Sequence, residues 1–319
     1  MRFYDYLDKS RCGRLTKEDA MVLARWDLEE LCHGADVLRQ EFFGNAFDLC
    51  AIINGKSGRC PENCRYCAQS AYYPTEVETY PLLETDAIVD DALDCHRRGI
   101  GRYSVVTSGR SLTAEETKDL CQSYRTVKCQ CEISLCASHG LLTKKQFQQL
   151  KAAGVARYHC NLETSRRFFS QICTTHTYDD KIAALRAAAS AGLELCSGGI
   201  FGMGETMEDR IDMAFDLRAM GIASVPMNLL NPIGGTPMED RPVLTNEEFC
   251  RTVALYRMIL PRAVLRTAGG RGLLPDKGRK AFLSGANGAI TGDMLTTAGI
   301  TVEGDQLLLK ELGFEVKQI

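Results

Sequence analysis

The sequence predicts a (β/α)8 barrel with an N-terminal helical extension, and three observations point there. Short apolar runs recur eight times between residues 49 and 291, and helical stretches separate most of them. Helices end alike at Arg98-Gly99-Ile100, Ala153-Gly154-Val155, Ala191-Gly192-Leu193 and Met220-Gly221-Ile222. Each junction puts glycine where a left-handed C-cap belongs and an apolar residue next, leading into a strand. Alternating strands and helices build a parallel sheet, because parallel neighbours need a crossover. A doubly wound open sheet is the alternative. The one glycine-rich loop, Gly198 to Glu205, does not carry the dinucleotide-binding spacing.

In chain order, residues 1–45 read as a helical extension, a decoration on the main fold or a dimer contact. Thr16 with Asp19 marks a helix start, helices are expected over Lys17–Arg25 and Leu28–Phe43, and Gly44 is a stop. Residues 46–295 form the barrel. Its strands are expected at Leu49–Asn54, Arg102–Ser108, Glu132–Ser138, Arg157–Glu163, Glu194–Phe201, Ser224–Leu230, Ala263–Ala268 and Asn287–Thr291, the last two the weakest. Helices are expected at Thr85–Arg98, Thr143–Ala153, Asp179–Ala191, Glu208–Met220 and Asn246–Leu260. Residues 296–319 form a tail with a short helix near Gln306–Leu312.

Composition narrows the function. Lys plus Arg number 38 against 41 Asp plus Glu, a net charge of −3, so no general nucleic-acid or membrane surface is expected. No apolar run is long enough for a membrane span, and Met1 to Asp8 lacks the apolar core of a signal peptide. The expected location is the cytoplasm. There, 15 cysteines argue for metal ligation and burial rather than a disulfide framework.

Cys60, Cys64 and Cys67, spaced C-x3-C-x2-C, are the sharpest feature. Three thiolates from one loop can hold a cube-shaped iron–sulfur cluster and leave one iron open, the arrangement of a reactive metal site. Half a zinc site is the plainer reading of the C-x2-C part. Strand parity sorts the remaining cysteines. If apolar side chains face the helices, Ser134, Cys136 and Ser138 point into the barrel, as do His159, Asn161 and Glu163. Cys196 joins them with Glu194 and Gly198, and Ser104 shares a face with Ser108. Cys50 shares a face with Ile52 and Asn54, but parity does not give its direction. Cys129, Cys131 and Cys160 read as outward-facing, Cys95, Cys121 and Cys250 as helical, and these six with Cys12, Cys32 and Cys173 are expected to pack. Three polar side chains in a lumen need a ligand or one another.

The string Cys60-Pro61-Glu62-Asn63-Cys64-Arg65-Tyr66-Cys67-Ala68-Gln69-Ser70 resembles the signature of the radical S-adenosylmethionine (SAM) superfamily, and the biotin synthase family in particular. The likeness continues through Tyr158–Ser165, Cys196–Ile200 with Gly202 and Glu205, Asn228, Gly235-Thr236-Pro237, Leu265-Arg266, Gly270-Arg271, Gly285–Asn287 and Leu295–Thr297. It implies a (β/α)8 homodimer that converts desthiobiotin to biotin, fed electrons by a flavodoxin- or ferredoxin-type donor. It implies a [4Fe-4S] cluster on Cys60, Cys64 and Cys67 that binds SAM. It also implies Tyr66 and the backbone near Ile200 against the adenine, Asn161 and Glu163 at the SAM ribose and substrate side, and Asn228 on the ureido ring. His159 stands where the family commonly has Asn, and His176 where it has an Arg that reaches SAM.

The family's auxiliary cluster, its sulfur source, commonly has two irons, three Cys and an Arg. Cys136, Cys196 and Arg266 match three of those positions, but the fourth is Ser104, a poor soft ligand. Cys50 is the expected replacement, with Arg102 nearby, and the shifted ligand favours a four-iron auxiliary cluster over a two-iron one. Another radical SAM enzyme on this scaffold, a maturase or mutase, is the first alternative. A non-catalytic iron–sulfur protein is the second.

Overall fold

The computed structural model describes residues 2–319. Three helices come first, α1 (Phe3–Arg11), α2 (Lys17–Leu23) and α3 (Leu28–Phe43), followed by β1 (Ala46–Lys56). Next are α4 (Thr85–Arg97), β2 (Arg102–Thr107), α5 (Ala114–Gln130), β3 (Ser134–Ser138), α6 (Lys144–Ala152) and β4 (Arg157–His159). The short α7 (Arg166–Phe169) precedes α8 (Tyr178–Ser190), β5 (Glu194–Cys196), β6 (Gly199–Phe201), α9 (Met207–Ala219), β7 (Ser224–Leu229) and α10 (Asn246–Ile259). The last elements are β8 (Val264–Thr267), α11 (Arg279–Phe282), β9 (Gly288–Ile290), α12 (Val302–Glu311) and β10 (Glu315–Val316).

Every strand pairing is parallel, and β9 returns to β1 through Asp48 opposite Gly288, so the sheet closes. The result is the eight-staved (β/α)8 barrel that the alternation predicts. Its fifth stave is broken. β5 stops at Cys196 and β6 resumes at Gly199 against Met227 of β7. The break exists because backbones crowd there. A Cβ on Gly198 would lie 1.9 Å from the Pro226 carbonyl oxygen, and one on Gly199 would lie 2.4 Å from that of Glu163. Only glycine permits such an approach.

Local chemistry sets the helix limits. Six helices start at a threonine whose hydroxyl accepts from the third residue on, which returns its own side chain: Thr16, Thr113, Thr143, Thr177, Thr206 and Thr245. Each such box satisfies two orphan N–H groups, worth about 1 kcal/mol or more. The exits at Gly99, Gly154, Gly192 and Gly221 all have positive φ, as the C-cap pattern requires. Between barrel and helices lies a continuous apolar layer. In it Phe147 meets Tyr158 edge-on with ring centroids 4.6 Å apart, and Phe201 meets Tyr256 edge-on at 5.4 Å. Each such fully buried side chain contributes about 1.5–3 kcal/mol.

The extension packs on the chain's own barrel. Ser10 Oγ donates to the Met258 carbonyl of α10 (2.6 Å), and a Cβ on Gly34 would strike the Phe3 ring. The extension also holds α1, a helix beyond the two expected. β1 begins at Ala46 rather than Leu49, while β4 stops at His159, because residues 160–163 turn toward the glycine break. Cys129 lies on α5 and is exposed, and Cys131 caps that helix, so neither faces outward from a strand. Cys12 is also exposed rather than packed. Among the described residues, no helix is long and apolar enough to cross a membrane.

Candidate active site

The Cys60–Cys67 loop follows β1 and folds on itself at the C-terminal end of the barrel, where (β/α)8 proteins place their sites. Cys60 N donates to the Gln69 carbonyl (2.9 Å), Ala71 N to the Cys60 carbonyl (2.8 Å) and Cys67 N to the Cys64 carbonyl (3.0 Å). Ser70 Oγ donates to the Glu62 carbonyl at 2.7 Å, and Tyr73 Oη to that of Asn63 at 2.7 Å. These bonds hold all three thiols toward a cavity of about 190 Å3 that also touches Tyr66, Asn161, Glu163 and Lys181. Burial pushes the Cys67 thiol up to about 11, so a free thiolate is disfavoured there. A bound cation reverses that preference.

A second cavity of about 370 Å3 runs down the lumen. Cys50, Cys136, Cys196 and Arg266 line it together, with Arg102, Ser104 and Arg157. Cys50 therefore points inward, which parity left open. Cys136 is in register with Ser104 on one side and Arg157 on the other, and Cys196 with His159 and Ser224. His159 Nδ1 lies 3.4 Å from Cys196 Sγ, and Cys196 Sγ lies 3.5 Å from Ser224 Oγ. Burial, the largest single influence, raises the Cys196 thiol, but His159, Arg157 and Ser224 together outweigh it and bring the thiol down to about 7. Burial raises Cys136.

Beneath these thiols sits a fully buried Asp48. Its Oδ2 accepts from Arg102 Nε at 2.7 Å and lies 3.2 Å from Arg266 Nη2. The second contact is an ion pair without hydrogen-bond alignment, so Arg266 Nη2 and Asp48 Oδ1 have no hydrogen-bond partner. Arg266 Nη1 donates to the Asp48 carbonyl at 2.8 Å.

The upper lumen carries the polar residues. Asn161 Oδ1 accepts from Gly198 N at 2.9 Å. Glu163 has φ of 72° and is fixed by bonds from its N to the Gly198 carbonyl (3.0 Å) and from Ile200 N to its own carbonyl (2.9 Å). A left-handed non-glycine residue costs about 1–2 kcal/mol and aims the side chain away from the strand direction. Its Oε2 is buried without a partner. Ile200, Tyr66, His159 and Asn228 line the same cavity. The Asn228 amide donates to the Gly199 carbonyl (3.0 Å) and accepts from Gly269 N (2.9 Å). His176 does not reach the lumen cavity. It borders the smaller one, in hydrogen-bond contact with Glu62.

Two residues here are new. Lys181 is buried with Nζ 3.9 Å from Glu163 Oε1. Its signal was a lysine on the apolar stripe of Tyr178, Ile182 and Leu185. Cys173, expected to pack, lies with Sγ 3.8 Å from Cys64 Sγ and 3.3 Å from His176 Nδ1. Its signal was the ligand-type spacing Cys173-x2-His176.

Comparison with known proteins identifies the family. Residues 56–217 match the radical SAM superfamily, and residues 226–315 the biotin and thiamin synthesis associated domain. A biotin synthase of Akkermansia muciniphila is 58% identical over 305 residues, covering 96% of this chain and 95% of that one. A biotin synthase of Clostridium botulinum is 55% identical over 302 residues, covering 95% of each. Among solved structures, methylornithine synthase superposes with a TM-score of 0.85 at 18% identity, covering 98% of this chain and 97% of that one, a likeness of fold. With identities above one half along almost the whole length, the chain belongs to the biotin synthase family of radical SAM enzymes.

Proposed function

We propose that this chain inserts sulfur between two unactivated carbons of desthiobiotin to give biotin. The observation that carries it is a pair of adjoining cavities that share Tyr66, Cys67, His159, Asn161 and Glu163 as walls. The three-cysteine loop stands at the mouth, and Cys50, Cys136, Cys196 and Arg266 line the floor. Radical chemistry at the mouth and a sulfur source at the floor are what a C–H to C–S conversion needs. The thiols at the floor argue against a maturase or mutase on the same scaffold, and product analysis decides.

Cys60, Cys64 and Cys67 fit a [4Fe-4S] cluster with one open iron, since all three line one cavity at the barrel mouth. The unpartnered Glu163 Oε2 fits a hydroxylated ligand such as the SAM ribose. When bound, that cluster with SAM supplies a primary carbon radical able to take hydrogen from strong C–H bonds. Tyr66 and the backbone at Ile200 flank the adenine, and Asn161 and Glu163 take the ribose. Lys181 is the buried cation for the SAM carboxylate, and Glu62 holds His176 at the edge of that site. Ile52, Val106, Pro226, Ile290 and Leu295 give the lumen apolar walls, which keep water from the reacting carbons.

At the floor, three thiols, Arg266, whose Nη2 has no hydrogen-bond partner, and the nearby Arg102 fit an auxiliary iron–sulfur cluster as donor of sulfur. The Cys50 position, in place of one on β2, favours four irons. Asn228 spends one N–H and one lone pair on backbone and keeps one of each for the ureido group of the substrate. His159, beside Cys196 and lining the same cavity as Asn228, faces substrate. The chain works as a cytoplasmic homodimer that receives electrons from a flavodoxin- or ferredoxin-type donor. Its 15 free cysteines suit a reducing compartment.

The test is an anaerobic incubation of reconstituted protein with SAM, a strong reductant and desthiobiotin. Biotin with about two 5′-deoxyadenosines for each supports the proposal, the ratio following from two hydrogen abstractions. Nucleoside without biotin keeps the radical chemistry and removes the substrate or sulfur source. Neither product from iron-loaded protein removes the enzymatic reading.

A further inference from the structure

Cys173 and His176 belong to neither cluster described above, yet both are buried against Cys64. Cys173 Sγ is 3.8 Å from Cys64 Sγ and 3.3 Å from His176 Nδ1, and the three ligand atoms lie within 4.8 Å of one another. In a tetrahedral zinc-type site, two sulfurs at 2.3 Å are about 3.8 Å apart, and a sulfur and a nitrogen about 3.5 Å. Both of these distances come within a few tenths of an ångström of those values. The surroundings are built rather than incidental. Thr175 Oγ1 donates to Glu62 Oε2 at 2.6 Å, and Arg110 holds the other carboxylate oxygen at 3.2 Å. Phe169 meets the His176 ring edge-on at 5.6 Å. The Glu62 carboxylate touches His176, so it stands beside the fourth position of such a site.

We propose that the cluster-free chain binds one zinc-type divalent ion on Cys64, Cys173 and His176, with Glu62 adjacent. The ion replaces the protons of two thiols, and no electron is transferred. Two sulfurs and an imidazole suit a borderline-soft cation, and Zn2+ holds such a set more tightly than Fe2+. This rests on the reading of Cys64 as a cluster ligand, because one thiolate serves either metal centre. The ion and the [4Fe-4S] cluster therefore exclude each other. The bound ion ties the Cys60–Cys67 loop to the segment between α7 and α8 until it is withdrawn.

The experiment is an anaerobic Co2+ titration of full-length, iron-free protein, followed by visible absorption. The expected result is that C173A and H176A each take up one equivalent less than wild type, while C60A and C67A do not. Zn2+ displaces that equivalent more readily than Fe2+ does. Cobalt-loaded wild type accepts iron and sulfide at this loop only after a chelator removes the ion. Should C173A lose its native circular dichroism, C173S carries the same expectation with the packing kept. Unchanged uptake in C173A and H176A overturns the proposal, as does loss in C60A, which would put the cobalt on the three-cysteine loop itself. A cluster assembled while the cobalt stays bound overturns the exclusion. The titration contains no iron, so it stands even if C64A retains a full cluster, a result that would instead remove Cys64 as a cluster ligand.

Discussion

His159 Nδ1 lies 3.4 Å from Cys196 Sγ, joining the polar wall of the lumen to the thiols at its floor. The contact crosses from β4 to β5, where the two residues are paired in register. Asn at this position is the family's common residue, so the informative change is His159→Leu, which keeps bulk and removes the polar contact. The expected outcome is near-normal 5′-deoxyadenosine formation and biotin formation reduced about tenfold or more, in keeping with loss of one well-placed polar contact. The ratio of the two products, measured by mass spectrometry, checks it. Equal loss of both would place His159 at SAM instead.

Cys50→Ala tests the floor of the barrel. The expected result is loss of the auxiliary iron and acid-labile sulfide with the SAM-cleaving cluster intact, read by metal analysis and Mössbauer spectra. Cys60→Ala should give the reverse pattern. Unchanged auxiliary iron in Cys50→Ala would make that residue a small core side chain.

Asp48→Asn should destabilise strongly. Asp48 is buried between Arg102 Nε at 2.7 Å and Arg266 Nη2 at 3.2 Å, so losing its charge leaves two guanidinium groups uncompensated. Breaking a buried ion pair costs about 3–5 kcal/mol. That corresponds to a fall in Tm of roughly 5–10 °C in a chain of this size. Calorimetry under anaerobic conditions decides it, and a shift below about 2 °C would mean that water or backbone takes over the arginines.

His139 gives a pH dependence. It is fully buried, with Nδ1 3.0 Å from Thr107 Oγ1 and Nε2 2.9 Å from Tyr124 Oη. Burial lowers it from 6.5 to about 3. Between those values the unfolded chain binds a proton that the folded chain refuses. Stability from this group is therefore intact above pH 6.5 and falls as the pH drops toward 3. The slope approaches about 1.4 kcal/mol per pH unit at most. His139→Gln removes the titration, so urea unfolding at pH 7.5 and 5.5 should show a smaller acid loss in the variant. Identical losses would show that His139 is protonated without penalty.

The chain by itself determined the architecture. Threonine capping boxes, glycine exits and apolar runs are local signals, each set by hydrogen bonds or sterics within a few residues, so the helix and strand alternation was legible. So was the three-cysteine loop, whose ligands lie within eight consecutive positions. Period-two alternation also sorted Cys136, Cys196, His159, Asn161 and Glu163 onto one face. It did not orient Cys50, because a strand expected only from Leu49 leaves Asp48 off the face of Cys50, Ile52 and Asn54; the longer β1, closed onto β9, puts Asp48 and Asn54 with Cys50 on the polar inward face. Nor did it reveal Lys181 beside Glu163, or Cys173 against Cys64, partners 109 residues apart. Such contacts depend on how the loops after β1 and β4 meet at the barrel mouth. That meeting is decided by packing of the whole sheet, which no local period encodes.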